Sequence, residues 1–306
     1  MIRSIENKID PKKYCVAARC EGWLVYKERQ SQRYVRVKAG ETKQCAIFLW
    51  NPISLEKIEL PTISVKVPNE IGFCFEFRLR KCILTAAPTT PQCLVVRLLE
   101  DVFSVSYCRP GDIEWKAAGR SFDDGKKERY LLIDAITYNE KIYALDEIGQ
   151  LYELDIDDNY LKPYGARLPL TLSDSDKLNY WNYYKDYKKQ FVESCGQLFV
   201  VRRKYSKLEI DVFVMDFSQA KWEKVFNLDN NKAFVLIGDY SISLPAAEVG
   251  IDANTIFFTD YNDSEHVYSY SMADKRLSVW RNDPNSSARL WVLHDEMMPK
   301  TLGFTR

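Results

Sequence analysis

The chain has 306 residues, 46% hydrophobic and 28% charged, the balance of a globular protein and not of a disordered one. Lys plus Arg and Asp plus Glu each number 43, so the basic excess that phosphate neutralisation demands of a nucleic-acid binder is missing. No window of about 18 apolar residues marks a membrane-spanning helix. The start, MIRSIENKIDPKKYC, has neither the apolar centre of a secretory signal nor the acid-poor make-up of a transit peptide.

Taken in chain order, five short apolar strands are predicted: Gly22-Trp-Leu-Val-Tyr26, Lys81-Cys-Ile-Leu-Thr85, Lys141-Ile-Tyr-Ala-Leu145, Gln197-Leu-Phe-Val-Val201 and Thr255-Ile-Phe-Phe-Thr259. Their starts lie roughly 55 to 60 residues apart, the spacing of an internal repeat. After each comes a predicted hairpin, at Ala46–Pro61, Val102–Gly119, Leu151–Gly165, Val212–Phe226 and Val267–Trp280. Turn residues break them at Asn51-Pro52, Pro110-Gly111-Asp112, Asp157-Asp158-Asn159 and Ala273-Asp274-Lys275. Leading strands such as Phe73–Phe77, Leu131–Ala135 and Phe191–Ser194 raise the content to about four strands per repeat, one propeller blade. A blade cannot bury both faces alone, so neighbouring repeats must stack. The expected fold is all-β: a β-propeller of four-stranded antiparallel blades, with five repeats counted. It forms a single domain over residues 14–306 behind a leader of residues 1–13. The tail Ala288–Leu293 adds a strand to a terminal blade or belongs to a sixth. Two packed sandwiches would give strands every 8–12 residues without the long period. Helix is scarce: only Ser173–Gln190 is long and polar enough to hide one, and its aromatics hold no clean helical face.

Of eight cysteines, seven precede residue 109 and several sit inside apolar runs. With no Cys-x-x-Cys spacing and only His266 and His294 as imidazoles, they read as buried thiols and not as disulfides or zinc ligands. Such thiols fit a reducing compartment: cytoplasm, nucleus or the inside of an organelle. No nucleophile elbow, phosphate loop or metalloprotease motif occurs, so neither a cofactor nor a metal is expected. Asp pairs such as Asp123-Asp124 and those in Asp155–Asp158 lack the twelve-residue calcium loop and read as turn formers. Trp115, Trp222 and Trp280 fall at corresponding places in the repeat and read as packing between blades. Arg202-Arg203-Lys204 reads as a solvated basic run.

The most unusual local composition is Leu178–Phe191, where Tyr180, Trp181, Tyr183, Tyr184 and Tyr187 interleave with Lys185, Lys188 and Lys189. Tyr, Trp and exposed cations anchor protein interfaces. The same interleaving suits single-stranded nucleic acid, and plain packing over a blade junction is the structural alternative. Tyr180, Trp181, Tyr183, Tyr184, Lys185, Tyr187 and Lys188 are the candidate binding residues. Catalysis would need carboxylates paired in space, which abundant acids permit.

An ordered set of tags resembles the plant F-box-associated β-propeller family, the KIB-type domain. The tags are Gly22-Trp-Leu; Leu49-Trp-Asn-Pro52 with Ile58-Glu-Leu-Pro61; Tyr107-Cys-Arg-Pro-Gly-Asp112 with Trp115; Ile142-Tyr-Ala-Leu-Asp146 with Gly149; Val192-Glu-Ser-Cys-Gly196; Val212-Phe-Val-Met-Asp216 with Trp222; Ile256-Phe-Phe-Thr-Asp260; and Trp291-Val-Leu. The resemblance implies a non-catalytic propeller that recognises a protein. In that family an F-box commonly docks onto a Skp-type adaptor, so that a cullin ligase ubiquitinates the captured protein. Here 21 residues precede Gly22, where a three-helix F-box of about 40 residues does not fit. Adaptor docking through this chain is therefore not expected, whereas protein binding by the propeller is.

Overall fold

The structure, a computed structural model, describes Ile9 and residues 13–28, 42–66, 79–99, 104–119, 131–169, 187–204, 209–228, 231–238, 240–259 and 266–280. Strands dominate because β-branched and aromatic residues alternate between short turns. The first sheet takes β1 (Tyr14–Cys20), β2 (Trp23–Glu28), β4 (Ile47–Trp50) and β5 (Lys57–Glu59) in that order, while β3 (Thr42–Cys45) and β6 (Ile63–Lys66) pair apart from it. The second is a meander of β7 (Leu79–Leu84), β8 (Val95–Leu99), β9 (Val105–Cys108) and β10 (Lys116–Ala118). The third joins β11 (Leu132–Tyr138), β12 (Lys141–Asp146), β13 (Leu151–Asp155) and β14 (Tyr160–Tyr164). The fourth joins β15 (Tyr187–Ser194), β16 (Gln197–Lys204), β17 (Glu209–Asp216) and β18 (Lys221–Val225).

The fifth sheet carries one strand more. Its order is β20 (Tyr240–Pro245), β19 (Lys232–Ile237), β21 (Thr255–Thr259), β22 (Val267–Ser271) and β23 (Arg276–Trp280), with β19 and β21 parallel. The turn of helix α1 (Ala246–Val249), closed by Gly250 in the left-handed region, supplies the crossover. Five blade-like sheets, with only the one turn of helix among the described residues, make this an all-β propeller fold, as the repeat predicts.

The chain divides into two compact units. One comprises Met1–Leu132, Leu154–Leu161 and Met298–Arg306, the other Ile133–Glu153 and Lys162–Met297. The core of the first unit gathers Val25, Ile47, Leu49 and Val95 around the thiols of Cys82, Cys93 and Cys108. One core of the second unit gathers Leu145, Phe191, Val200, Phe213 and Trp222. Trp222 is buried, as its place in the repeat predicts. Trp115 packs on the first unit's core and donates its Nε1–H to the Pro61 carbonyl across the sheets. Cys20, Cys45, Cys82, Cys93, Cys108 and Cys195 are thiols, not disulfides.

The hairpin turns repeat one piece of chemistry. Asn51 Oδ1 accepts from the amides of Ile53 and Ser54, Asp155 Oδ1 from Asp157 and Asp158, Asp216 Oδ1 from Ser218 and Gln219, and Ser271 Oγ from Asp274. Such side-chain acceptors close a turn locally. Four residues further on, each chain passes through positive φ: Leu55 (62°), Asn159 (52°), Ala220 (51°) and Lys275 (55°). The second sheet's hairpin differs, with the Arg109 amide on Asp112 Oδ2 and Gly111 at φ 93°. The Asp residues at 155–158 are thus turn formers.

Two sequence expectations need correcting. Lys81–Thr85 falls on and just after β7, the first strand of its sheet, and Val95–Leu99 takes the second place that the repeat spacing gave it. Arg202-Arg203-Lys204 is buried, not solvated, because it continues β16, and side chains on both faces of that strand are covered. In Ser173–Gln190, Tyr187–Gln190 are strand; the rest of that stretch, like Phe73–Phe77 and Ala288–Leu293, lies outside the described residues.

Candidate functional site

Within each unit, the turn of one hairpin meets the open end of the hairpin before it. In the first unit the Leu161 amide donates to Gly119 O at 2.8 Å, beside a parallel bridge from Gly119 to Tyr160. In the second unit the Ala166 amide donates to Ala220 O, also at 2.8 Å. That closure depends on Gly165: a Cβ there would lie 2.5 Å from Ala220 O, and its φ of 64° suits glycine.

Phe226 holds the matching place after β18, and the turn that should close on it is the one bearing Lys275. These two residues instead line a cleft of about 280 Å³. Its apolar wall is Ile210, Val225, Phe226, Tyr270 and Met272, and its charged rim is Glu209, Asp211, Lys224 and Lys275. The Phe226 side chain stays 68% exposed, although most large apolar side chains are covered on folding.

The rim is largely neutralised from beneath. Arg202, 3% exposed, gives Asp211 Oδ2 a bond of 2.5 Å, and Lys224 Nζ stands 2.6 Å from Oδ1. Burial alone would raise the Asp211 carboxyl, but the hydrogen bonds from Lys224 and Arg202 outweigh it and hold its pKa below the usual value. Arg202 is itself fixed by a bond to Pro169 O and lies over the Phe213 ring. Lys224 keeps its side chain 46% exposed and sits 5.7 Å from the centre of the Phe226 ring. Glu209 and Asp211, two places apart on β17, share one face of the strand. A glycosidase pair needs one carboxyl that can surrender a proton and another able to attack. With both oxygens of Asp211 taken by cations, that chemistry has no free partner there.

Of the candidate residues read from the sequence, Tyr180, Trp181, Tyr183, Tyr184 and Lys185 lie outside the described residues. Tyr187 opens β15. Lys188 is half-buried and its Nζ donates to Gly238 O, while Lys189 Nζ donates to Glu147 O. Both ammonium groups of this part of the insert therefore bond to backbone carbonyls. The cleft residues were not singled out from sequence. One signal could have found them: the place after the fourth strand reads Leu60, Gly119, Gly165, Phe226, small in two copies and aromatic in one.

The class these sheets define is the β-propeller, and comparison with known proteins agrees. The family model for the KIB1-4 β-propeller matches residues 3–272, and the chain belongs to that family. Among similar Arabidopsis thaliana proteins, F-box protein At2g26160 is 23% identical over 258 residues, covering 78% of this chain and 73% of that protein. F-box protein At4g35733 is 29% identical over 150 residues, 45% of this chain, and putative F-box protein At4g17565 is 24% identical over 230, 71% of this chain. The chain spans 39% and 56% of the lengths of those two relatives. The β-propeller domain of Cps50 (Swd1) from Myceliophteria thermophila aligns with a TM-score of 0.43 at 10% identity, over 90% of this chain and 88% of that one, too low to carry a fold assignment.

Proposed function

We propose that this chain is a non-catalytic recognition propeller that captures a protein partner through the cleft at Phe226. The observation that carries the reading is the open junction itself. Where Gly165 lets the neighbouring turn close, Phe226 stands exposed over an apolar wall with lysines at the rim. Interfaces are anchored by aromatic side chains set among polar rims. The relatives named above are F-box proteins, which supports a substrate-receptor role and ubiquitin-ligase recognition for proteins containing this propeller. The reading contains no chemical step.

A photoreactive benzoyl-phenylalanine placed at position 226 of the full chain tests it in plant extract. Discrete protein adducts are expected from position 226 and not from the same probe at the exposed Ile113 of the other unit. No adducts at 226, or the same set from both positions, would remove the cleft as the capture site.

A further inference from the structure

The loop between β7 and β8 is built on two prolines, and capture through the cleft makes no use of it. The Thr90 amide donates to Ala87 O at 2.9 Å, and the Cys93 amide donates to Thr90 O at 3.1 Å. These are two consecutive β-turns, each with proline in the second place, Pro88 and then Pro91. Thr90 is the joint between them. Its hydroxyl donates to the same Ala87 carbonyl at 2.8 Å. At the base of the loop the Leu94 amide donates to Thr85 Oγ1 at 2.9 Å, and Cys93 Sγ donates to Ala86 O at 3.2 Å. Ala86 and Ala87 pack on the core of the first unit, whereas Thr89, Pro91 and Gln92 are exposed and Thr90 is half-buried. The tip can thus be drawn into an enzyme's groove while the ladder of β7 on β8 stays paired.

The residues of the tip select the enzyme. Of the twelve prolines in the chain, only Pro91 follows a serine or threonine. Proline-directed kinases seat the residue after the acceptor in a pocket that takes proline, which brings no N–H to be satisfied. A second proline two places before the acceptor adds to their preference, and Pro88-Thr-Thr-Pro91 meets both conditions.

We propose that Thr90 is a phosphorylation site for a proline-directed protein kinase, and that the phosphate opens the double turn over Cys93. Thr90 Oγ1 attacks the γ-phosphorus of ATP. The new O–P bond forms as the bond from that phosphorus to the β,γ-bridging oxygen breaks; ADP leaves with the electron pair, and the hydroxyl proton passes to the kinase's base. The ester oxygen then has no hydrogen to give Ala87 O, and the phosphate sets negative charge beside that carbonyl. The loop itself supplies no Lys or Arg to pair with that charge, so the turn loosens. The site is independent of the cleft.

The test treats the full chain with a purified mitogen-activated-type kinase and Mg-ATP and maps the phosphate by mass spectrometry. Phosphate is expected on Thr90 and absent from Thr90→Val, while Thr89→Val should react as the parent does. Pro91→Ala, which keeps the hydroxyl, should react at least about tenfold more slowly. In the phosphorylated chain N-ethylmaleimide should label Cys93 about fivefold faster, the shift that one lost hydrogen bond permits, with the circular dichroism of the sheets unchanged. No incorporation, incorporation on Thr89 instead, or a Pro91→Ala rate equal to the parent's overturns the site. An unchanged Cys93 rate on the phosphorylated chain overturns the opening of the turn.

Discussion

The second and fourth sheets bury an arginine at the same place and treat it differently. Arg97 on β8 and Arg202 on β16 each lie on the second strand of a sheet, over an aromatic ring: Trp115 at 4.3 Å and Phe213 at 5.0 Å. Across the ladder, Arg202 meets Asp211, whereas Arg97 meets Cys82 and Ser106. Arg97 is 7% exposed, and its Nε and Nη1 have no hydrogen-bond partner among the described residues. Burial pulls its pKa down to about 10. Cys82 and Cys108 are pushed up to about 12, in each case chiefly by burial, so they stay protonated and supply no counter-charge. The comparison teaches that ring stacking suffices to place a guanidinium inside a blade. A cross-strand carboxylate then gives that guanidinium a counter-ion, as Asp211 does for Arg202.

The largest effect expected from this contrast is at Asp211→Asn, which strips Arg202 of its counter-ion and should cost about 3 kcal/mol in denaturant unfolding at neutral pH. The carboxyl is held below its ordinary value in the fold, so its contribution is present above pH 3.8 and lost as pH falls through the depressed value. The deficit of the variant should therefore vanish in acid. A deficit that persists unchanged at low pH would mean that packing, not charge, is what Asp211 supplies.

Next comes Lys189, opposite Arg202 on β15. Burial, then the charge of Arg202, brings its ammonium from 10.5 down to about 8. Between those values the unfolded chain holds a proton that the folded chain has given up. Stability should rise with pH across that window, by at most about 1.4 kcal/mol per pH unit from this group. Lys189→Met should remove the rise, and a pH profile identical to that of the parent chain would refute this. The smallest effect is at Arg97→Met: with no ion pair to break, the change in unfolding free energy should stay within about 1 kcal/mol of zero. A loss as large as that of Asp211→Asn would collapse the contrast.

Four of the five hairpins were legible because their third strand is followed or ended by an acceptor side chain fit to close a turn: Asn51, Asp155, Asp216 and Ser271. The second sheet misled because Cys93–Leu99 is apolar but for Arg97 and does not alternate, while Lys81–Thr85 happens to sit at the repeat spacing. The parallel pair of β19 with β21 left no trace in periodicity either, since it depends on a crossover through α1. Phe226 was visible as the last residue of a hairpin. Its exposure was not, because it depends on whether the next turn closes. The bond from Arg202 to Asp211 needed the register of β16 on β17, which composition does not fix.

The four matching turns have a consequence for how such a protein can change. Each is shaped by one acceptor at its first residue and one left-handed residue four places on. The positions between these two differ in duty: Phe217 stacks on Tyr138 and Met272 is buried, whereas Ile53 is almost fully exposed. Substitutions at exposed places such as Ile53 leave the ladders untouched. The fold therefore behaves as a fixed chassis with exchangeable fingertips, on which new specificities can be tried without refolding the body.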